Sequence, residues 1–350
     1  MKPKLYKSLL YSMVGAGMLS LGSCTDLSET IYNQIASEKY EFTEKDAASM
    51  FAPVYSSLRN FYWAWYGYAD LDICTDMWVI PLRIGVGWGD LYINLHEHTF
   101  HSEIGHFSGL WSKRLFGNKC VQQAVGGRGR AGIGGVCGPA TCLPCVVLLS
   151  FCSTFSVIFP WTTTYDHPDG WLPEQAEPQE VWDFIISELD DIKDKCGDEV
   201  EMGKINNYTV HMILAKMYLN HNAWFDDHSD DSYYRKCVDE LNVIIESNKF
   251  SLAPNYADNF KEDISSSPEI IFGIPFEYLY ASGNYFANLW MNEAGRATFG
   301  FTGWATGGGA PCPSSWILMT RIMTPVIQTA GSAVSSKTRV ETPFMWTASL

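Results

Sequence analysis

Aromatic rings and hydrogen-bonding side chains occur together in two stretches of the sequence, residues 61–94 and 278–304. Flat, amphipathic rings suit stacking on the faces of sugars, and amide, guanidinium and carboxylate groups bind hydroxyls. Glycines at positions 85, 87, 89 and 303 indicate loops beside the tryptophans, where a ring is a better binding candidate than on a helix. The predicted ligand-binding residues are Asp76, Arg83, Trp88, Asn94, Tyr285, Trp290 and Trp304. Packing in the core is the alternative interpretation of each ring.

Residues 96–101 contain three histidines and a glutamate, which are zinc-ligand types. A helical metalloprotease motif needs histidines four positions apart with glutamate between them, and position 100 is phenylalanine. Tyr92, His96 and His98 lie at even spacings, as in an extended segment. A surface histidine cluster without metal is therefore predicted.

Three other patterns spell binding motifs without the context that such motifs need. The aspartates of residues 226–231 lack an EF-hand glycine turn and are predicted to be the solvated start of a helix. Gly127 to Gly132 has the spacing of a dinucleotide fingerprint, but no strand-like run precedes it and no helix pattern follows. Cys142 and Cys145 have no second pair at zinc spacing. No cofactor is predicted.

The N-terminal residues 1–23 have the layout of a lipoprotein signal peptide. Lysines at positions 2, 4 and 7 precede an uncharged run from Leu9 to Leu21, which is short for a membrane span of ~20 residues. The run ends in Leu21-Gly22-Ser23-Cys24, the form of a bacterial lipobox. We therefore expect cleavage before Cys24 and lipidation of its thiol, which would anchor the chain on a membrane without crossing it. An ordinary secretion signal followed by a chance cysteine is the alternative.

The distribution of charge excludes one class of partner and marks two unusual segments. The net charge of −15 would repel duplex nucleic acid. No acidic residue occurs between Glu103 and Asp166, although this gap holds five of the ten cysteines, and none occurs from Ala294 to Val340. Because amphipathic periodicity is lost there too, we predict that residues 112–161 and 314–350 are translated out of frame. A natural low-complexity insertion is the alternative.

Helical periodicity is clear in the middle of the chain. Thr43 and Asp46 resemble a capping box for an early helix through Leu58, with a kink predicted at Pro53. A later helix opens near Gln179, with its apolar stripe at Val181, Ile185, Leu189 and Ile192. The next helix, predicted to stop near Asn220-His221-Asn222, has its apolar face at Val210, Ile213, Leu214, Met217 and Tyr218. A third helix is capped by Asp231 or Ser232 and carries Tyr234, Val238, Leu241 and Ile245 at helical spacing. Adjacent helices joined by a short turn predict αα-hairpins of the tetratricopeptide kind.

Five sequence blocks resemble the SusD/RagB family of outer-membrane nutrient-binding lipoproteins. They are Pro178–Trp182, Ile205–Thr209, Leu214–Leu219, Asn259-Phe260 and, as a short strand, Pro268–Phe272. Together with the lipobox and the early helix they follow the family's order. The resemblance covers residues 24–111 and 162–313. The family's usual second helix pair would fall in 112–161, and family members run considerably longer than this chain.

The resemblance implies a mainly α fold in which tetratricopeptide-like helix pairs support a loop-rich face. It further implies a cell-surface lipoprotein of the outer membrane, without catalytic residues, that delivers a glycan to a SusC-like TonB-dependent transporter. Two alternatives stay open. A glycoside hydrolase would need two carboxyl groups facing one glycosidic bond, and no pair can be placed so from the sequence. A tetratricopeptide scaffold would bind no small ligand.

Overall fold

A computed structural model describes residues 44–62, 75, 78–80, 91–113, 117, 176–261, 263–277, 279–281, 288, 291, 293–298, 300, 303–305 and 310–311. The predicted signal peptide with Cys24 lies outside the described residues, as do residues 114–116, 118–175 and 312–350. The two segments predicted to be out of frame are thus almost wholly outside this part of the chain.

Helix α1 runs from Glu44 to Tyr62 and contains Pro53. It therefore continues one turn beyond Leu58, where the sequence predicted its end. The buried side chains in its second half are Val54, Ser57, Leu58, Phe61 and Tyr62. Their spacing of three and four residues places them on one helical face, which packs into the main hydrophobic core.

Helix α3 runs from Pro178 to Lys193 and starts where the sequence predicts. Proline suits the first turn because its missing N–H would have no helical partner there. The carboxylate of Glu180 accepts a hydrogen bond from the backbone N–H of Glu177 at 3.2 Å, which is half of a capping box. The predicted stripe is confirmed, since all of its members are buried: Val181, Ile185, Leu189 and Ile192.

Helix α4 spans Asn207–Phe225 and forms the centre of the core. The side chain of Asn206 caps its start, accepting a hydrogen bond from the backbone N–H of Thr209 at 3.0 Å. All five apolar positions predicted for its face are buried. The helix continues past the predicted stop at residues 220–222, with His221 and Asn222 buried inside it. Asp226, in the left-handed conformation, caps its end after Phe225.

Helix α5 spans Ser232–Glu246 and packs against α4 as an antiparallel hairpin. Near the turn, the rings of His221 and Tyr233 stack with centroids 3.5 Å apart. Further along, His211 Nδ1 lies 2.5 Å from a carboxylate oxygen of Glu240. This pair of helices confirms the predicted αα-hairpin.

The buried face of α5 differs from the predicted one. Tyr234, Val238 and Ile245 are exposed, with 39%, 53% and 54% of their surface accessible, whereas Cys237 and Ile244 are buried. The physical reason is the width of the apolar arc on this helix. Helix α4 covers one side of the arc, and periodicity alone does not determine which side that is.

The segment after α5 contains a short 3-10 helix, Tyr256–Phe260. The predicted strand at residues 268–272 is wrong, since these residues form bends and irregular backbone. Polar contacts hold this segment instead of a strand ladder. One carboxylate oxygen of Glu269 accepts hydrogen bonds from the Ala253 N–H at 3.0 Å and from the Asn259 amide at 2.7 Å.

Smaller elements surround a second hydrophobic cluster. Helix α2, Leu91–His96, contacts strand β1, Trp78–Val79, and residues 105–113 are also helical. The buried members of the cluster are Ile80, Tyr92, Leu95 and Ile104.

Helix α6, Glu293–Thr298, and strand β2, Ala310–Pro311, complete the described elements. No helix in the described part of the chain is long and apolar enough to span a bilayer.

Candidate functional site

A pair of short antiparallel strands links the first aromatic stretch to residues just after the second. In this pair Trp78 lies opposite Pro311, and Val79 lies opposite Ala310. Strand β1 belongs to the first stretch, and β2 begins six positions after Trp304. Paired residues on neighbouring strands lie about 5 Å apart, so the fold connects segments that are more than two hundred positions apart in the sequence.

Trp304 is an exposed ring on a loop whose backbone is fixed by side chains. The residue is 43% exposed. Its carbonyl oxygen accepts a hydrogen bond from the Asn288 amide at 2.7 Å, and the preceding carbonyl, that of Gly303, accepts one from Arg296 Nη1 at 3.2 Å. Consecutive carbonyls are therefore held by two different side chains. This arrangement fixes the backbone that carries the ring, so little ordering is needed when a ligand stacks on it.

The two residues that hold the loop, Asn288 and Arg296, form what we call the clamp. They are themselves positioned by their surroundings. Asn288 is only 8% exposed, which limits the rotamers available to its amide. Arg296 lies in α6 and also forms an ion pair with Glu293, one helical turn earlier. The guanidinium therefore joins the helix to the loop, and it does so with the directional N–H groups that suit a carbonyl acceptor.

Asn94, the other predicted ligand-binding residue within the described part, is half-buried on α2. Its side-chain oxygen accepts a hydrogen bond from the Thr99 hydroxyl at 3.3 Å, and its backbone carbonyl accepts one from the Thr99 N–H at 2.9 Å. These contacts close the C-terminal turn of α2. The Asn94 amide nitrogen has no hydrogen bond among the described residues.

A tight turn presents a second exposed ring near the start of the second aromatic stretch. Glu277 and Ala281 exchange two backbone hydrogen bonds of 3.0 Å each. The Glu277 carboxylate also accepts a hydrogen bond from the Tyr280 N–H at 2.7 Å. Tyr280 is 90% exposed at the tip of this turn. It was part of the aromatic pattern in the sequence, and its position makes it a second candidate platform.

The other predicted site residues lie outside the described part of the chain. They are Asp76, Arg83, Trp88, Tyr285, Trp290 and the predicted lipidation site Cys24. Their roles stay predictions.

The histidine segment differs in conformation from the expectation. Residues 91–96 are helical and not extended, so Tyr92 and His96 lie on successive turns of α2. His98 and His101 are exposed, as expected for a surface cluster, but His106 is buried and its Nε2 lies 3.1 Å from the Tyr92 hydroxyl. Within the described residues, no group of three or more His, Cys, Asp or Glu side chains is placed to hold a metal ion.

Two glutamates near Trp182 in the sequence lie at the start of a helix. Glu177 and Glu180 form the start of α3, which agrees with the predicted helix N-terminus. Burial, and next the charge of Asp191, raise the pKa of Glu188 above its usual range. Asp191 itself pairs with Lys195 at 2.6 Å. A glycosidase would need a second carboxylate facing the same bond as Glu188, and Asp191 is engaged by a lysine.

Sequence reasoning missed Asn288 and Arg296. Neither residue stands out by type or spacing, because their partners are backbone carbonyls sixteen positions away for Asn288 and seven for Arg296. The only sequence signal was Gly303 beside Trp304, which indicated a loop but not what holds it.

The fold is similar to that of solved SusD-type structures. A SusD superfamily protein from Parabacteroides distasonis has 15% identity and a TM-score of 0.60, with 69% of this chain and 53% of that chain covered. A SusD homolog from Bacteroides thetaiotaomicron has 15% identity and a TM-score of 0.63, with 81% and 57% covered. Surface glycan-binding protein A from the same species, in complex with laminarihexaose, has 17% identity and a TM-score of 0.62, with 87% and 69% covered.

The expected SusD-like, mainly α fold is therefore confirmed. The chain spans about half the length of the first two structures, 53% and 57%. No family model matches the chain, and no curated protein matches it by sequence.

Proposed function

We propose that this protein is a glycan-binding surface lipoprotein of the outer membrane that passes oligosaccharide to a SusC-like TonB-dependent transporter. The observation that carries the proposal is the exposed Trp304 ring on a loop fixed by Asn288 and Arg296. An exposed, pre-positioned indole stacks on a sugar with little entropic cost. The likeness in fold to a surface glycan-binding protein solved with laminarihexaose supports the choice of ligand class.

Ligand release sets the expected strength of binding. A glycan that is handed to a transporter must dissociate, so stacking and neutral hydrogen bonds are better suited than buried ion pairs. In Trp304 the ring supplies the stacking surface, and in Asn94 the amide nitrogen is a donor for a hydroxyl. We expect affinity in the range of about 1 μM to 1 mM, equivalent to roughly 4–8 kcal/mol.

Calorimetric titration of the full chain with laminarihexaose and with a xyloglucan oligosaccharide tests the proposal. The same mixtures are then incubated and separated by chromatography to detect shorter products. Binding without cleavage supports a capture protein. Cleavage would establish the glycoside hydrolase instead, and the absence of both across a panel of neutral glycans would favour a tetratricopeptide scaffold.

Membrane anchoring is tested separately from glycan binding. The proposed lipidation of Cys24 rests on the lysine-rich start, the apolar run and the lipobox spacing. Cys24→Ala should abolish incorporation of labelled palmitate and release the chain from membranes. Palmitate labelling of the Cys24→Ala chain would contradict the proposed anchor and leave the glycan site unaffected.

A further inference from the structure

The two arms of the clamp, Asn288 and Arg296, differ in how firmly they hold the loop. Asn288 is 8% exposed, and its neutral amide donates to the Trp304 carbonyl at 2.7 Å. The Arg296 side chain is 36% exposed, and its Nη1 donates to the Gly303 carbonyl at 3.2 Å. That distance is at the long end of the usual range for N–H···O hydrogen bonds. The Arg296 arm is therefore the weaker one, and it is the one that solvent reaches.

One nitrogen of the Arg296 guanidinium is buried without a hydrogen bond. Nε is shielded from solvent and has no hydrogen-bond partner among the described residues. A desolvated N–H group without a partner costs free energy, and an outward rotation of the guanidinium would let water bond to all of its N–H groups. The single hydrogen bond to Gly303 competes with this outward orientation. A further interaction is therefore needed to favour the inward one.

The carboxylate of Glu293 supplies that interaction. One of its oxygens accepts a hydrogen bond from Arg296 Nη2, while Nη1 faces the Gly303 carbonyl. Because a guanidinium is planar and rigid, fixing the direction of Nη2 also fixes that of Nη1. Glu293 lies three residues before Arg296 in α6, so its backbone is placed by the helix and not by the loop. The carboxylate thus orients the donor that holds the loop.

We propose that Glu293 is a positioning residue for the Trp304 ring, through Arg296, and that it makes the binding of a neutral glycan sensitive to ionic strength. The second part of this inference rests on the proposed function of the Trp304 loop. The Glu293 side chain is 66% exposed, so the ion pair lies where dissolved ions screen it. High salt weakens the pair and releases the Arg296 arm.

The Asn288 arm does not respond in this way. Its hydrogen bond joins a neutral amide to a carbonyl, and the residue is buried. Salt therefore removes only part of the order in the loop, and a modest loss of affinity is expected. A neutral glycan has no charge on which salt acts directly, so a loss of affinity at high salt reports on the protein.

Calorimetric titration of the full chain with laminarihexaose measures the effect. The screening length falls from about 30 Å at about 0.01 M NaCl to about 3 Å at about 1 M. Over this range the affinity of the wild-type chain should fall about two- to fivefold. Glu293→Gln removes the charge and nearly keeps the shape, so it should show the lower affinity at both salt concentrations. A wild-type chain that binds equally well at both concentrations overturns the proposal.

Glu201→Gln is the matched control. Glu201 forms an exposed ion pair with Lys204, also three residues apart in sequence, and neither residue belongs to the clamp. The control variant should keep the wild-type affinity and its salt dependence. Loss of the salt dependence in this variant too would assign it to the general charge of the surface and overturn the role of Glu293. Both glutamates are exposed, and circular dichroism verifies that each variant is folded.

A spectroscopic measurement tests the positioning step without a glycan. The chain contains 13 tryptophans, which are labelled with 5-fluorotryptophan, and the fluorine resonance that is missing in Trp304→Phe belongs to Trp304. Glu293→Gln should change the chemical shift of this resonance, and high salt should move the wild-type resonance in the same direction. A Trp304 resonance that responds to neither change overturns the proposal. If it responds as expected while no glycan binds, the positioning by Glu293 is supported and the proposed function fails.

Discussion

The helix array, α3 to α5, and the Trp304 loop, residues 303–305, are held in place by different forces. The array is built on apolar stripes at helical spacing, with side chains such as Ile185, Leu189 and Leu214 fully buried. The loop is held by two side-chain hydrogen bonds to consecutive carbonyls. Many small packing contributions add up to the stability of the array. In the loop, a few directional hydrogen bonds define the backbone conformation and contribute little to the overall stability.

This difference separates stability from ligand binding. A substitution in the array should lower the free energy of unfolding and affect binding only through the folded fraction. A substitution in the clamp should change affinity more than stability, because the loop contributes little buried apolar surface.

The largest effect is expected for Leu214→Ala in the middle of α4. The side chain is fully buried in the main core, and truncation of such a leucine costs about 2–5 kcal/mol of transfer and cavity energy. Denaturant unfolding followed by circular dichroism measures the change. Leu219→Ala, on an exposed position of the same helix, is the control and should cost less than about 1 kcal/mol. Equal losses for the two leucines would show that α4 is not packed as described.

The array was the part that the sequence predicted best. The stripe of α3 and the face of α4 follow from local spacing, and the start of α3 near Gln179 was predicted, whereas the Asn206 cap of α4 was not. The face of α5 was assigned wrongly because its apolar arc is wide enough for two neighbours. The clamp of Trp304 could not be predicted, since Asn288 and Arg296 act on backbone atoms brought near by tertiary structure.

The next largest effect concerns a lysine within the array. Burial lowers the pKa of Lys216 to about 8, against about 10.4 in an unfolded chain. Between these values the unfolded state binds more protons, so stability should rise with pH. At neutral pH the half-buried ammonium is partly desolvated, which weakens the fold, and Lys216→Met should raise the free energy of unfolding by about 1–3 kcal/mol.

Unfolding experiments from about pH 7 to 9.5 test this expectation. The wild-type chain should gain stability over this window, and the Lys216→Met chain should not. Burial also raises the pKa of Tyr218, which lowers stability above about pH 10, so higher pH is avoided. Lys195→Met, at an exposed lysine paired with Asp191, is the control and should follow the wild-type profile. Identical profiles for the wild-type and Lys216→Met chains would show that the amine is hydrated.

A smaller loss of stability is expected at the cap of α4. Asn206→Ala removes the acceptor of the Thr209 N–H and should cost about 1 kcal/mol. Asn206→Ser keeps an acceptor at the cap and should recover most of that loss. If alanine and serine were equivalent in thermal unfolding, the cap would contribute nothing to the start of the helix.

The smallest effect on stability and a measurable effect on affinity are expected in the clamp. Asn288→Ala removes the hydrogen bond to the Trp304 carbonyl. The loop then gains freedom that ligand binding must remove, which should weaken glycan binding about three- to tenfold, or roughly 1 kcal/mol. Calorimetric titration measures the affinity, and the thermal midpoint should fall by no more than about 4 °C. An unchanged affinity beside a strongly lowered midpoint would place Asn288 in the core rather than in the site.

The central claim, that Trp304 is a glycan-binding platform and not a core residue, is tested most directly by Trp304→Ala. Glycan affinity and thermal midpoint are measured on the same preparation, with Tyr256→Ala as the control because Tyr256 is likewise exposed, at 49%, and contacts Phe260. A platform predicts a loss of about 1–2 kcal/mol in binding, roughly five- to thirtyfold in affinity, with an unchanged midpoint. A collapsed midpoint, which a core tryptophan would produce by losing about 3–5 kcal/mol of stability, or glycan affinity equal to that of wild type, would contradict the claim.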